Sequence, residues 1–180
     1  PGYEPAAVDE ESAGLWRVDH IVGNVEDRKM DHWVDWYRDV MGFEKFLSFD
    51  DKDISTEFTA LRSTVMSAPH AAFKMPINEP ADGRKKSQIE EYLDFYQTAG
   101  VQHVALRTDD ELHSVAELRR RGVDFLRLPD TYYEIIWDKV GEIAESRERV
   151  KDLGILVDRD DEGYLLQLFT RPVEDRPTLF

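Results

Sequence analysis

Two histidines lie in short apolar stretches of similar pattern, Val18–Val22 and Val101–Ala105, and each stretch is followed by a helical pattern. A neutral imidazole is a good ligand for iron, copper, zinc or nickel. Two strands that direct His20 and His103 toward one point would supply two of the three ligands of a facial metal triad. A lone strand histidine is more often a ring with satisfied hydrogen bonds, but the matching positions of these two favour a shared metal site.

The remaining polar clusters are weaker candidates. His32 lies on the polar side of a predicted helix, His70 in a turn and His113 in the first turn of another helix, and we expect all three to be solvated. The acidic run Asp158–Glu162 lacks the spacing and the terminal glutamate of an EF-hand, so it predicts a hairpin turn rather than a calcium loop. The chain contains no cysteine, which excludes disulfides and thiolate metal sites.

Composition limits the domain organisation and the partners. With 180 residues, 41% of them hydrophobic, the chain predicts one catalytic domain over about residues 15–180, truncated at its C-terminal end. We expect residues 1–14, rich in proline and acid, to be a linker from a missing N-terminal half. The net charge of −15 argues against nucleic acid as a partner, and no apolar run reaches the roughly 20 residues that span a bilayer. The lack of cysteine and of a signal-peptide pattern favours the cytoplasm.

The first histidine stretch opens a unit of one helix and four strands over about residues 15–80. The helix is predicted over Asp27–Met41, where apolar residues recur every three or four positions, and Gly42 is placed to end it. Asn78–Gly83 breaks the pattern, and Ser87 with Glu90 forms a capping box that opens a further short helix. The predicted strands of this unit are Leu15–Val25, Phe43–Phe49, Ser55–Ser67 and Ala71–Ile77.

A second unit over about residues 100–180 also begins with a strand and a helix. The helix is predicted from an N-cap at Asp109 through Arg121, and Pro129–Val150 is a charged helical pattern, interrupted at Gly141, that predicts an insertion over the sheet. The predicted extended segments are Val101–Arg107, Phe125–Leu128, Gly154–Asp158, Tyr164–Thr170 and Asp175–Phe180. Such a repeat indicates duplication. We therefore predict an α+β fold in which paired βαβββ units form a curved mixed sheet around a metal site.

Longer motifs extend along most of the chain. They are Val18–Asn24, Met75–Pro80, Lys86–Tyr92, Gly100–Ala105, Gly163–Thr170 and Asp175–Phe180. Together they resemble the 4-hydroxyphenylpyruvate dioxygenase family, and the resemblance covers that family's C-terminal, catalytic half. It implies a vicinal-oxygen-chelate, or glyoxalase-like, fold, in agreement with the repeat.

The resemblance implies an iron(II) site. His20 and His103 match two of the family's metal ligands, and the third is a glutamate two places beyond the position of Phe180, outside this chain. Glu174 and Asp175 are the nearest carboxylates, but they lie in a polar segment where we expect them to be solvated. The 180-residue chain alone is therefore expected to be catalytically inactive.

The resemblance also implies a pocket of neutral polar side chains and one aromatic ring. The matching residues are Gln102 and Gln167 in catalysis, and Ser63, Asn78, Gln88 and Phe169 in substrate binding. Neutral amides in a mostly apolar pocket can orient a phenol without adding charge beside a metal. Without the resemblance, Gln88 would be interpreted as a solvated helix residue, Gln167 as an amide paired with sheet backbone, and Phe169 as core.

The implied reaction converts 4-hydroxyphenylpyruvate and O2 to homogentisate and CO2 in the catabolism of tyrosine. Iron(II) would be the only cofactor, because the substrate supplies its own 2-oxo acid, and the full-length protein would be a homo-oligomer. Two alternatives remain open: a 4-hydroxymandelate synthase, which uses the same substrate, and a metal-free binding module of the same fold. Two strand histidines and the polar pocket argue against the second alternative.

Overall fold

The computed structural model describes residues 11–49, 60–71, 73–81, 86–160, 163–176 and 178–180. These residues form two compact units. The sheet unit contains residues 17–107 and 170–180, and the helix-rich unit contains residues 11–16 and 108–169. The predicted linker over residues 1–14 lies largely outside the described residues, and the division into linker and catalytic domain stays a prediction.

The sheet unit is built around a five-stranded mixed sheet of order β2-β3-β4-β1-β5. β1 pairs with β4 in parallel and with β5 antiparallel, while β2–β3 and β3–β4 are antiparallel. The order confirms the predicted βαβββ pattern of the first unit. Its elements are β1 (Arg17–Asn24), α1 (Met30–Met41), β2 (Glu44–Phe49), β3 (Ala60–Ser67), β4 (Lys74–Ala81), α2 (Gln88–Tyr96) and β5 (Gly100–Arg107).

Helix α1 covers one face of this sheet with its apolar stripe. It ends as predicted at Gly42, which has a φ of 67° and whose N–H donates to the carbonyl of Arg38 at 3.1 Å. A left-handed residue at this position favours glycine, which lacks a Cβ. The core beneath the helix contains Val25, Phe43, Met66 and Ile77, with Trp33, Val34 and Tyr37 packed against it.

Several boundaries in the sheet unit differ from the prediction: α1 begins at Met30 rather than Asp27, and β4 begins at Lys74 rather than Ala71. The segment Asn78–Gly83 was expected to end the extended structure, yet β4 continues to Ala81, and Pro80 lies opposite Leu61 of β3. The strand continues because β3 pairs with it as far as Ala81, whereas β1 ends at Asn24, opposite Asn78. Beyond that point β4 has a strand partner on one side only, where a proline without an N–H is tolerated. The third predicted strand begins at Ala60 in the described residues, and positions 55–59 lie outside them.

The helix-rich unit packs three helices and a β-hairpin around its own apolar core. The interruption at Gly141, with a φ of 72°, confirms the predicted break in the helical segment. The elements are α3 (Glu111–Arg120), α4 (Asp130–Val140), α5 (Arg147–Asp152), β6 (Leu156–Arg159) and β7 (Tyr164–Gln167). The buried core residues are Leu112, Val115, Phe125, Tyr133, Ile136, Val140, Val150, Ile155 and Val157.

Three details of this unit correct the prediction. The N-cap of α3 is Asp110 rather than Asp109, because the Asp110 carboxylate accepts the N–H of His113 at 2.9 Å. Residues 125–128 do not form a continuous strand: Phe125 makes an isolated β-bridge, and the N–H of Leu126 donates to the carbonyl of Phe169 at 2.9 Å. The segment Pro129–Val150 is not a peripheral insertion. It supplies four of the buried residues of this core, and burial of such side chains is what stabilises the unit.

Candidate metal centre

The two predicted ligand histidines lie on one face of the sheet. β1 and β5 are antiparallel neighbours, with Val22 opposite His103 and His20 opposite Ala105. Residues directly opposite one another in a sheet point to the same side, so the two histidines are diagonal neighbours. Their ring centroids are 5.6 Å apart and their planes make an angle of 77°.

A β-bulge precedes each histidine. Asp19 is an extra residue on β1, between the Val18–Leu106 and His20–Ala105 pairs, and Gln102 is an extra residue on β5, between the Val101 and His103 pairs. A bulge bends the strand and redirects a side chain. The two bulges offset one another, so the strands return to their original register beyond the site.

Each bulge residue hydrogen-bonds the ring of the histidine that follows it. Nδ1 of His20 donates to Oδ2 of Asp19 at 2.9 Å, and Nδ1 of His103 donates to Oε1 of Gln102 at 3.2 Å. When Nδ1 carries the proton, the lone pair of a neutral imidazole is on Nε2. A carboxylate behind the ring is a usual partner of a metal-ligating histidine, and the amide oxygen of Gln102 is a neutral acceptor in the same position.

The surroundings of the site lower the pKa of Asp19 and the pKa of His103, which favours an ionised carboxylate and a neutral imidazole. The hydrogen bond from His20 lowers the pKa of Asp19, and Arg107, 3.6 Å from its carboxylate, acts in the same direction. Burial, with a smaller contribution from His20, lowers the pKa of His103 from 6.5 to about 4. His103 is therefore a neutral ring at physiological pH, which is the form that binds a metal.

The geometry fits a shared metal ion. A metal about 2.1 Å from one nitrogen of each ring would lie roughly 3.2 Å from each ring centre, so the centres would be about 4.5 Å apart for ligands at about 90° and about 6.4 Å apart for ligands at about 180°. The observed 5.6 Å is within this range. Among the described residues, no group of three or more His, Cys, Asp or Glu side chains could hold a metal. His20 and His103 are therefore candidate ligands, and their binding of a metal stays a prediction.

Phe180 lies beside His103 and joins the edge of β5. Its ring stacks on the imidazole, with centroids 5.1 Å apart and planes 21° from parallel. Its N–H donates to the carbonyl of Gln102 at 3.0 Å, and its carbonyl accepts the N–H of Val104 at 3.2 Å. This is a parallel bridge opposite His103, and it resembles the parallel pairing of Lys74 with His20. Each histidine is thus opposite a residue of a parallel neighbour, as the predicted repeat would place it.

The polar residues Ser63 and Asn78 lie on the same face as the histidines. They are opposite one another on β3 and β4, and Asn78 is also in register with Asn24 of β1. Since His20 is in register with Lys74, and alternate residues of β4 share a face, Lys74 and Asn78 point to the same side as His20. The structure therefore brings Ser63 and Asn78 to the histidine-bearing face.

The other predicted pocket residues have different positions. Gln88 is exposed at the start of α2, between Ser87 and Glu90, whose predicted capping box the structure confirms. Gln167 is opposite Leu156 in the hairpin of the helix-rich unit, and Phe169 follows it. The substrate roles of these residues stay predictions.

Sequence reasoning missed three residues of the site face and its support. Asp19 stands directly before His20, and an acid next to a candidate ligand is a signal that could have identified it. Asn24 is 0% exposed, and its two amide atoms have no hydrogen-bond partner among the described residues. Glu79 is 3% exposed, and no local pattern predicts its burial.

The three other histidines lie outside the site, as expected. His32 packs against Trp33, with ring centroids 5.4 Å apart. His70 is exposed in a turn with a φ of 66°. Nε2 of His113 hydrogen-bonds the carbonyl of Ser12 at 3.1 Å in the helix-rich unit.

Comparison with known proteins gives consistent matches. The Glyoxalase/Bleomycin resistance protein/Dioxygenase superfamily matches residues 17–168. A 4-hydroxyphenylpyruvate dioxygenase from Yarrowia lipolytica is 49% identical over 98% of this chain and 46% of that protein, and one from Coccidioides posadasii is 51% identical over 92% and 43%. A mutant 4-hydroxymandelate synthase from Streptomyces coelicolor superposes with a TM-score of 0.80 at 30% identity, over 98% of this chain and 50% of the other. The chain spans less than half the length of the two dioxygenases. No helix in the described part of the chain is long and apolar enough to cross a membrane.

Proposed function

The chain belongs to the Glyoxalase/Bleomycin resistance protein/Dioxygenase superfamily, and we propose that it is the catalytic half of a non-haem iron(II) dioxygenase that converts 4-hydroxyphenylpyruvate and O2 to homogentisate and CO2. The observation that carries this proposal is the pair of histidines, each preceded by a bulge residue that hydrogen-bonds its ring. The reaction would serve tyrosine and phenylalanine catabolism in the cytoplasm, and the full-length protein would be a homo-oligomer.

His20 and His103 would hold the metal through Nε2, while Asp19 and Gln102 fix the tautomer and the orientation of the two rings. Two imidazoles with a carboxylate are the ligand set of non-haem iron(II) oxygenases. When bound, iron(II) would supply the orienting centre for the 2-oxo acid and the electrons that activate O2.

The polar residues of the same face would orient the substrate. Ser63 and Asn78 lie opposite one another on β3 and β4 and offer a hydroxyl and an amide. Such groups can hold the phenol or the oxo acid by neutral hydrogen bonds. By resemblance, Gln88, Gln102 and Gln167 complete the polar set, and Phe169 stacks on the aromatic ring of the substrate.

The third ligand would be a glutamate two residues beyond Phe180. The parallel bridge between Phe180 and β5 supports this position. If the strand continues along β5, the side chain two residues on points to the same face as that of Phe180 and its partner His103. The missing carboxylate would then lie on the metal-binding face.

Product analysis tests the proposal. The full-length protein that contains this chain is loaded with iron(II) without oxygen, mixed with 4-hydroxyphenylpyruvate and exposed to O2. We expect one homogentisate and one CO2 for each substrate consumed. Bound iron with no substrate turnover would refute the proposal. The 180-residue chain assayed beside a version extended through the glutamate should be inactive, and equal activity of the two would place the third ligand within the chain.

A 4-hydroxymandelate synthase is the second candidate, because a protein of that name superposes on 98% of this chain. It uses the same substrate and hydroxylates the benzylic carbon instead of the ring. The same assay separates the two enzymes, since hydroxymandelate and homogentisate are distinct products. The higher identity, about one half, to proteins named as dioxygenases favours homogentisate.

A further inference from the structure

An ion pair with a buried carboxylate lies directly behind the polar residues of the site face. Glu79 and Arg62 are opposite one another on β4 and β3, immediately adjacent to the Asn78–Ser63 pair. Oε1 of Glu79 is 2.6 Å from Nη2 of Arg62. Since neighbouring residues of a strand point to opposite faces, this ion pair is on the helix-covered face while Ser63 and Asn78 are on the other.

The same carboxylate holds the start of helix α1. Oε2 of Glu79 accepts the N–H of Met30 at 2.9 Å. The residue at the N-cap, Lys29, makes no side-chain capping bond, so Glu79 from a distant strand satisfies one of the unpaired N–H groups of this helix end. A negative charge there is also favoured by the helix dipole. The hydroxyl of Thr64 donates to Sδ of Met30 at 3.0 Å, which connects β3 to the same point.

We propose that Glu79 and Arg62 are positioning residues, which fix β3, β4 and α1 so that Ser63 and Asn78 keep the spacing that the substrate requires. This inference rests on the proposed function of that face. Only 4% of the Glu79 side chain is exposed, against 42% of Arg62, so the carboxylate is held by its partners rather than by water. Arg62→Met leaves the buried Glu79 carboxylate without its cation, whereas Glu79→Gln leaves the partly exposed Arg62 with Asp27, 3.9 Å away, as its remaining carboxylate partner. His20 and His103 are on β1 and β5 and are not touched by the pair.

The test uses Glu79→Gln, Arg62→Met and the double variant of the full-length protein. The amide of Gln can still accept the N–H of Met30, so the helix end and the fold are retained while the ion pair is lost. We expect kcat/KM to fall about 10–100-fold, because small displacements of positioning groups have effects of this size, with iron(II) affinity within about twofold of the unmodified protein. The kcat/KM of the double variant should fall no further than that of the worse single variant, because the effects of two residues in one interaction are not additive. Arg62→Lys should retain a higher kcat/KM than Arg62→Met.

Glu117→Gln is the matched control. Glu117 contacts two arginines at 2.7 Å and its side chain is 14% exposed, but it lies on α3 in the helix-rich unit. This variant should keep the kcat and KM of the unmodified protein. Loss of iron in step with activity, an unchanged kcat/KM, or an equal loss in Glu117→Gln would each overturn the proposal.

Amide hydrogen exchange separates this inference from the proposed function. Exchange at the Ser63 and Asn78 amides should be faster in Glu79→Gln and Arg62→Met than in Glu117→Gln, whatever the reaction catalysed. Unmodified protein that makes no homogentisate would refute the function and leave this measurement valid. Unchanged exchange in an active protein would refute the positioning role alone.

Discussion

The two faces of the five-stranded sheet differ in composition although they share the same strands. On the helix-covered face, Met66 and Ile77 are 0% and 1% exposed and pack with the apolar stripe of α1. On the other face, Ser63 and Asn78 lie with the two histidines. Because alternate residues point to opposite faces, one of two neighbours in sequence packs in the apolar core and the other lies on the polar face with the histidines. Substitutions one residue apart should therefore have unlike effects.

The largest effect is expected for His103→Ala on the histidine face. Even residues behind a metal ligand cost 10–100-fold in metal affinity, so loss of the ligand itself should weaken iron(II) binding by more than about 100-fold and abolish turnover. Anaerobic iron titration of the full-length protein measures this, with the melting temperature as the check on folding. Normal iron content in His103→Ala would contradict the placement of the metal site on the histidine face.

The next largest effect separates two neighbours on β4. Ile77→Ala should lower the free energy of unfolding by about 2–5 kcal/mol, since it opens a cavity in the core, and should leave the kcat/KM of the folded protein unchanged. Asn78→Ala should do the reverse, with a fall in kcat/KM of about tenfold for a lost hydrogen bond and little change in iron affinity. By resemblance, Gln167→Ala should behave like Asn78→Ala. Urea unfolding and steady-state kinetics distinguish the two patterns, and iron loss in Asn78→Ala would contradict them.

A smaller effect is expected for Asp19→Asn, which keeps an oxygen acceptor for His20 but removes the charge. Iron(II) affinity should fall about tenfold, as for other partners of ligating histidines. Asp39→Asn is a suitable control, because Asp39 is an exposed carboxylate on α1 that pairs with its neighbour Arg38. Equal affinity in the two variants would mean that Asp19 does not act on the metal site.

The smallest effect concerns a carboxylate in the other unit. Burial raises the pKa of Glu111 from 4.5 to about 7, in contrast to Asp19, whose pKa is lowered by partners. Because the folded form of Glu111 binds its proton more tightly, its contribution to stability is greatest below pH 4.5 and is lost as the pH rises to about 7. Glu111→Gln should therefore melt a few degrees higher than the unmodified protein at pH 8 and at nearly the same temperature at pH 5. Thermal unfolding at both values checks the sign.

The features of the fold and of the site that the sequence predicts correctly are those that follow from local patterns. The alternation around His20 and His103, the glycine at the end of α1 and the capping box at Ser87 depend on residues a few positions apart, and all three are found where expected. The bulges at Asp19 and Gln102 arise from the pairing of two distant strands, so no local pattern indicates them. From the sequence, Glu79 is interpreted as part of a break between elements, because its partners Met30 and Arg62 come close to it only in the folded sheet.

The position of β1 has a consequence for how the protein is made. This strand lies between β4 and β5, yet it leaves the ribosome before either, and at about 5–20 residues per second its first partner follows several seconds later. Until then an apolar stretch around Ile21 and Val22 lacks both of its neighbours. Pairings between distant segments also make folding slow. The strand that carries His20 thus waits for both of its partners during synthesis. On the proposed function, a metal site that also needs His103 cannot form before β5 has joined the sheet.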